Sequence, residues 1–342
     1  MKIVSASIVL ILLSTVLITG CYSMKTTDVD VFTPLQETEP SSVAEIKLPE
    51  KLPVRFDATK HTDNPLVGHF WSVPEEKIVP WMQVMKTLPQ GGWLILGELH
   101  DHSDHQKMEA IFINILARTG ILGNVAMEQL RPDQQPLLND WYGKGNFVTG
   151  TDLNWKPQAW DWNSYIMPLS YALNHSPKVL ALDLSHQSIG EIYADKRVVQ
   201  KSTQEHETLL AELINASHCQ TERNRHTDAM VKVQLAKDQF MAQQLIDNTL
   251  VDKINVMIAG LHHSRKDFGV PLWLEKNAKT NKTVTIAFLP VTNSHDGKSY
   301  LPSRYQERLA ADYIFFTPAK NQQQWECPQS ELVTQHVAKH QK

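Results

Sequence analysis

The sequence has no run of basic residues: 33 lysines and arginines are interspersed with 37 acids over 342 residues, for a formal net charge of −4. Without a basic patch to neutralise phosphates, nucleic acid is excluded as a partner. Internal repeats are absent, and so is the H-E-x-x-H of helix-borne zinc proteases. Cysteine is scarce, with Cys21, Cys219 and Cys327 far apart, so no paired thiolates are available for a structural zinc site. What is present, 42% hydrophobic and 20% charged residues, is the composition of a globular chain. Its length suffices for one large domain or two ordinary ones.

The one long apolar run stands at the start, "MKIVSASIVLILLSTVLITGC". It is too short and too N-terminal for a comfortable membrane span and reads as an export signal over residues 1–20. Ile18-Thr19-Gly20-Cys21 resembles the bacterial lipoprotein box, which makes Cys21 the lipidated first residue of the mature chain and a membrane anchor. Tyr22, rather than Asp, follows it, which directs the expectation to the outer membrane, on its periplasmic or its surface face. An ordinary signal peptide with a chance cysteine is the alternative. Export to an oxidising compartment predicts a Cys219–Cys327 disulfide, with two buried free thiols as the competing reading.

Residues 21–60, rich in Thr, Glu, Ser, Pro and Asp, read as a flexible tether, and residues 61–342 as the folded domain. In the latter, apolar runs at 93–97, 124–129, 178–184, 253–260, 283–291 and 312–317 predict strands. They lack polar alternation, as strands covered on both faces do. Met108, Ile111, Phe112, Ile115 and Leu116 share one helix face. Further helices are expected at 187–200, 204–216, 225–250 and 266–277. The fold class is α/β, a mostly parallel central sheet flanked by helices, with a helical insertion between the third and fourth strands.

In such a sheet, ligands gather beyond the carboxyl ends of the strands. Glu98 and His100 follow the first strand, Glu128 ends the second, Asp183 and His186 follow the third, and Gly260, His262 and His263 end the fourth. A Glu and His set of this kind suits a divalent metal, with Glu98, His100 and His263 as ligands, or a metal-free general base. Among the neighbouring residues, Asp101 reads as a helix cap or a ligand, His102 as solvated in the first turn, and His105 as a core histidine or a ligand. Trp155, Trp160 and Trp162 with Tyr165 form a pocket wall, a dimer face or a packed cover.

The stretches "LGELHDHSDHQ", "VAMEQL", "HCQ", "VQLAKDQFMA" and "AGLHHSRKDFGVP" together resemble the ChaN family of haem-binding lipoproteins, in the Tiki superfamily that also takes in erythromycin esterase-like hydrolases. The resemblance runs from about residue 90 to the end. It matches Gly97, Glu98 and His100 to the first motif, Glu128 to the second acidic position, and Gly260 and His263 to the Gly-x-x-His motif, with His262 as an extra imidazole. Cys219 and Cys327 match the family's two cysteines. The resemblance implies a haem-binding protein of haem and iron uptake, a homodimer holding haem between its subunits through tyrosine, and an outer-membrane receptor as partner. Phe268 stands where many relatives have Tyr. The axial ligands to test are His262, His263, Tyr193 and Tyr165. Arg265 and Lys266 are either propionate partners or solvated. A hydrolase using Glu98, His100, Glu128 and His263, with or without metal, is the second reading, and a ligand-free envelope lipoprotein the third.

Overall fold

A computed structural model describes residues 52, 54–277, 282–301 and 305–321. The lipidation residue Cys21, the export segment and Cys327 lie outside the described residues. Eight strands form one sheet: β1 (Phe70–Ser72), β2 (Lys77–Val79), β3 (Gly92–Glu98), β4 (Leu122–Met127), β5 (Val179–Ala181), β6 (Ile254–Gly260), β7 (Thr283–Pro290) and β8 (Tyr313–Thr317). Their order is β2-β1-β8-β7-β3-β6-β4-β5. All pairings from β8 to β5 are parallel, and the short β1–β2 hairpin adds an antiparallel edge through β1 and β8. The six strands expected from the sequence are all present. The hairpin was not foreseen, because three-residue strands carry no readable period.

Every residue of β3, β4 and β6 is buried. Helices cover both faces, which is why these strands read as unbroken apolar runs. On one face lie α2 (Ser103–Arg118) and α4 (Trp162–His175), packed on each other. On the other lies the insertion between β5 and β6, built of α5 (His186–Tyr193), α6 (Gln204–Ser217) and α7 (Arg225–Asp247). Its inner residues, among them Leu210, Val231, Leu235 and Met241, pack against Trp93, Ile95 and Met257 of the sheet. Each insertion helix starts where a side chain caps it: Ser185 accepts Ser188 N–H, Thr203 accepts His206 N–H, and Asn224 accepts the N–H groups of His226 and Thr227. Four smaller helices are also present: α1 (Trp81–Thr87) before β3, α3 (Gln135–Asp140) after β4, and α8 (Leu261–Ser264), which leads to α9 (Val270–Asn277). The helices expected at 187–200 and 266–277 are therefore shorter. No helix among the described residues is long and apolar enough to cross a membrane.

Residues 54–60, at the end of the stretch read as a tether, are held on the domain. Asp104 accepts the N–H groups of Asp57 and Ala58 at 2.7 and 3.0 Å, and Lys60 bridges to Ala319. Behind this contact His102 and His105 are buried and stacked, their ring centroids 4.2 Å apart. His102 is therefore a core residue and not solvated. Asp101 does not cap α2; it pairs with Lys320 at 2.8 Å on the surface. His105 accepts the Leu99 N–H at 3.0 Å through Nδ1 and reaches the Thr317 hydroxyl at 3.2 Å through Nε2.

Burial holds both imidazoles below their usual range, His105 far below it, so they fold as neutral rings. The unfolded chain binds protons on these groups below about pH 6.5, whereas the folded chain does not. Their stabilisation is whole above that pH and is lost as pH falls from it. Urea unfolding followed by circular dichroism is expected to show a midpoint that drops steadily from pH 6.5 to pH 5. A constant or rising midpoint would contradict this placement of the two rings.

Candidate functional site

The parallel strands β3, β6, β4 and β5 lie side by side, and their carboxyl ends bring Glu98, Gly260, Glu128 and Asp183 to one rim. Glu98, fully buried, is the acceptor at its centre. It receives Tyr165 Oη at 2.6 Å, Gln129 Nε2 at 2.8 Å and His100 Nδ1 at 2.9 Å, together with the Gln106 amide. Behind it, burial first and the Glu98 charge second push the Glu109 carboxyl well above the usual carboxylate range, so Glu109 is buried as a neutral acid.

His100 is half-buried, and its ring lies 4.6 Å from that of Trp160. Its Nε2 faces Glu128 Oε2 across 3.9 Å. Gly260 makes this approach possible, because a Cβ there would stand 2.6 Å from His100 Nε2. The Gly260 N–H also donates to Glu128 Oε2 at 2.8 Å. On its other oxygen Glu128 meets His263 Nε2 at 3.3 Å, and His263 Nδ1 meets Asp238 Oδ1 of α7 at 2.5 Å. Lys237, one residue before Asp238, pairs with Asp183 at 2.9 Å and Glu128 at 3.7 Å. The rim is thus an alternating series of carboxylates and cations, and the low dielectric around it strengthens each pairing.

Burial alone would depress His263, but Glu128 and Asp238 raise it to about 10. Burial would raise Glu128, yet the His263 and Lys237 charges hold it well below the carboxylate range. His263 is therefore an imidazolium with both nitrogens engaged. Glu98, His100 and His263, named above as metal ligands, come to one rim, but His263 faces Glu128 and Asp238. Among the described residues no group of three or more His, Cys, Asp or Glu side chains is arranged to hold a metal ion.

A second feature lies beside the rim. Helices α5, α6 and α7 with α8 enclose a groove of about 550 Å³, in the size range of small-molecule sites. Ile189, Leu210, Leu213, Ile214, Met230 and Val233 wall it, and Tyr193, His226 and His262 bring polar groups. Gln234 and Lys237 reach it from the rim side. Tyr193 and His262 are exposed there, and the Tyr193 hydroxyl is hydrogen-bonded to His226 Nδ1. Although His262 is exposed as a residue, the loss of hydration of its ring against the protein, then the charges of His263 and Arg265, keep it below the usual histidine range and so neutral.

These placements sort the candidates from the sequence. Tyr193 and His262 reach the groove. Tyr165 does not: it is 1% exposed and its hydroxyl is spent on Glu98. Arg265 makes a bidentate pair with Asp267 at 2.9 and 2.6 Å and lies over the Phe268 ring, and Lys266 pairs with Asp312. Phe268 is fully buried, with its ring 6.5 Å from that of His262. Trp155 is buried as part of a cover, with its Nε1 on the Trp160 carbonyl at 2.7 Å. His186 is exposed and off the rim contacts. The sequence reading missed Gln106, Glu109, Gln129, Asp238, Lys237 and His226. The last three share α7, where a stripe at 226, 230, 233, 234 and 237 falls on one helix face and was the available signal.

Residues 84–274 match the family described as haem-binding uptake, Tiki superfamily, ChaN. The chain belongs to this family. Among solved structures it is similar to ChaN of Campylobacter jejuni, described as showing cofacial haem binding, at 23% identity, over 72% of this chain and 95% of that one, with a TM-score of 0.60. That likeness shows a shared fold. A succinoglycan biosynthesis protein (17% identity, 61% of this chain and 68% of that one, TM-score 0.37) and an erythromycin esterase mutant in its open conformation (12%, 65% and 77%, 0.38) also match, too distantly to carry an argument. No curated protein matches the chain.

The imidazolium at His263 generates a test. Its proton is bound in the folded chain up to about pH 10 and in the unfolded chain only to about pH 6.5, so its stabilisation is full below the lower value and lost through the higher. Unfolding free energy is expected to fall by about 1.4 kcal/mol per pH unit between pH 7 and 9, the slope of one proton. Denaturant titrations of the wild type and of His263→Gln check it, since the variant should lose the slope. A flat profile in the wild type would show that His263 folds neutral.

Proposed function

We propose that this chain binds haem in the groove of the helical insertion, with Tyr193 as the axial ligand, as an outer-membrane-anchored lipoprotein of haem and iron uptake. The observation that carries the reading is the pairing of a largely apolar groove of about 550 Å³ with an exposed tyrosine residue, all of it inside the matched residues 84–274. Ferric haem iron accepts a tyrosine or histidine axial ligand. The donor set fits: Tyr193 offers oxygen, and neutral His262 offers nitrogen from another wall of the groove. Apolar walls suit the porphyrin faces. Lys237, although it lines the groove, is committed to Asp183 and Glu128 and is a poor partner for propionates. Lipidation at Cys21, a Cys219–Cys327 disulfide, a homodimer and a haem receptor in the outer membrane belong to the same reading, and the family resemblance and the lipoprotein-like box support them.

The test is titration of the purified full-length chain, in detergent, with haemin. A Soret shift saturating at a fixed stoichiometry is expected, and Tyr193→Phe should weaken binding by about 1.4 kcal/mol or more, a factor of about ten. Wild-type affinity in that variant would remove Tyr193 from the site.

A second reading, a hydrolase at the rim, is favoured by one observation: Glu98 holds His100 through Nδ1, leaving Nε2 as a base beside Glu128. Whether such an enzyme would use a divalent metal is part of that proposal. His100→Gln, which leaves the ion pairs of α7 intact, is expected to leave haemin binding in place and to abolish any ester hydrolysis. Loss of haemin binding in that variant would merge the two sites into one.

A further inference from the structure

Tyr193 and His226 come from different helices and meet at the groove. Tyr193 is the last residue of α5 and is 41% exposed; His226 is in the first turn of α7. Their rings stand T-shaped at 70° with centroids 5.6 Å apart, and the hydroxyl meets Nδ1.

The place of His226 is fixed independently of its ring. Asn224 accepts its backbone N–H at 2.9 Å and that of Thr227 at 3.1 Å, so α7 must begin here. Thr227 in turn donates to Asn215 of α6 at 2.8 Å, which ties the two helix ends together. On the other side, Lys232 of α7 pairs with Asp195 just beyond α5. The imidazole is thereby presented to the phenol by a braced corner of three helices.

We propose that His226 is a positioning residue for the groove's oxygen donor, its Nδ1 accepting the hydrogen bond of the Tyr193 hydroxyl. The inference rests on the haem reading given above. Two consequences follow from hydrogen-bond chemistry. The bond removes one rotational freedom of the hydroxyl and aims the remaining lone pairs away from His226. It also polarises the oxygen, and a more electron-rich oxygen holds a ferric centre more tightly. Neither consequence requires the ring to touch the ligand. An exposed Tyr–His contact contributes little to folding, so a merely structural role would leave ligand binding unmoved.

Three variants of the full-length chain, titrated with ferric haemin, decide it: His226→Leu, His226→Asn and Tyr193→Phe. His226→Leu is expected to weaken haemin about three- to tenfold, the range of one net hydrogen bond. It should also shift the iron–tyrosine band in resonance Raman spectra and leave the thermal midpoint of the haem-free chain unchanged, since Asn224 still caps α7. His226→Asn, whose amide oxygen reaches the place of Nδ1, is expected to restore most of the affinity and the band. Tyr193→Phe should abolish the band. If His226→Leu keeps wild-type affinity and spectrum while Tyr193→Phe loses both, His226 is a bystander and the haem reading stands. If Asn restores nothing beyond Leu, the hydrogen bond is not the cause. If Tyr193→Phe also behaves as wild type, the haem reading of this groove fails and the inference falls with it.

Discussion

A buried charge must be paired, and in this protein that requirement fastens the helical insertion to the sheet. Glu128 sits at the end of β4, His263 follows β6, and Asp238 and Lys237 belong to α7. Glu128, His263 and Asp238 are buried and Lys237 is partly exposed, and removing one of the buried partners would leave the others uncompensated, a loss typically of about 3 to 5 kcal/mol. The pairings therefore set where α7 lies on the sheet. Because one face of α7 carries Met230, Val233 and His226 into the groove while its next positions carry Gln234, Lys237 and Asp238 to the rim, the shape of the groove follows from the ion pairs below it.

This arrangement separates two kinds of chemistry that the sequence places together. The acids and imidazoles at the strand ends satisfy one another: Glu98 with four donors, Glu128 with His263, Lys237 and the Gly260 N–H, His263 with two carboxylates. His100 Nε2, by contrast, stands 3.9 Å from Glu128, beyond hydrogen-bond distance, with its ring beside that of Trp160. The groove is the opposite case. Its walls are largely apolar, and its donors are the Tyr193 oxygen and the neutral His262 imidazole, the kinds of ligand that a porphyrin iron accepts.

Much of the fold was legible because the strands are buried on both faces. Trp93 to Leu96 and Val256 to Ala259 are fully inaccessible, and runs of that kind can only be covered strands or core helices, told apart by length. The rule that ligands gather at strand carboxyl ends then placed Glu98, Glu128 and His263 on one rim correctly. Spacing does not report which way a residue is spent. Tyr165 and Tyr193 look alike in sequence, yet one is consumed by Glu98 and the other stands in the groove. His102 looked solvated beside Asp101, but stacking on His105 under the docked residues 54–60 buries it. Asp238 could not be singled out for a related reason: α7 is polar along most of its length, and only tertiary contact distinguishes its buried acid from a solvated one.

The central claim is spatial: the ligand sits in the insertion groove, against Tyr193, and not on the charged rim. Anomalous scattering at the iron edge from crystals of the haemin complex measures this directly. The account predicts an iron peak within bonding distance of Tyr193 Oη, between α5 and α7. An iron peak beside His100 and Trp160 instead would contradict it.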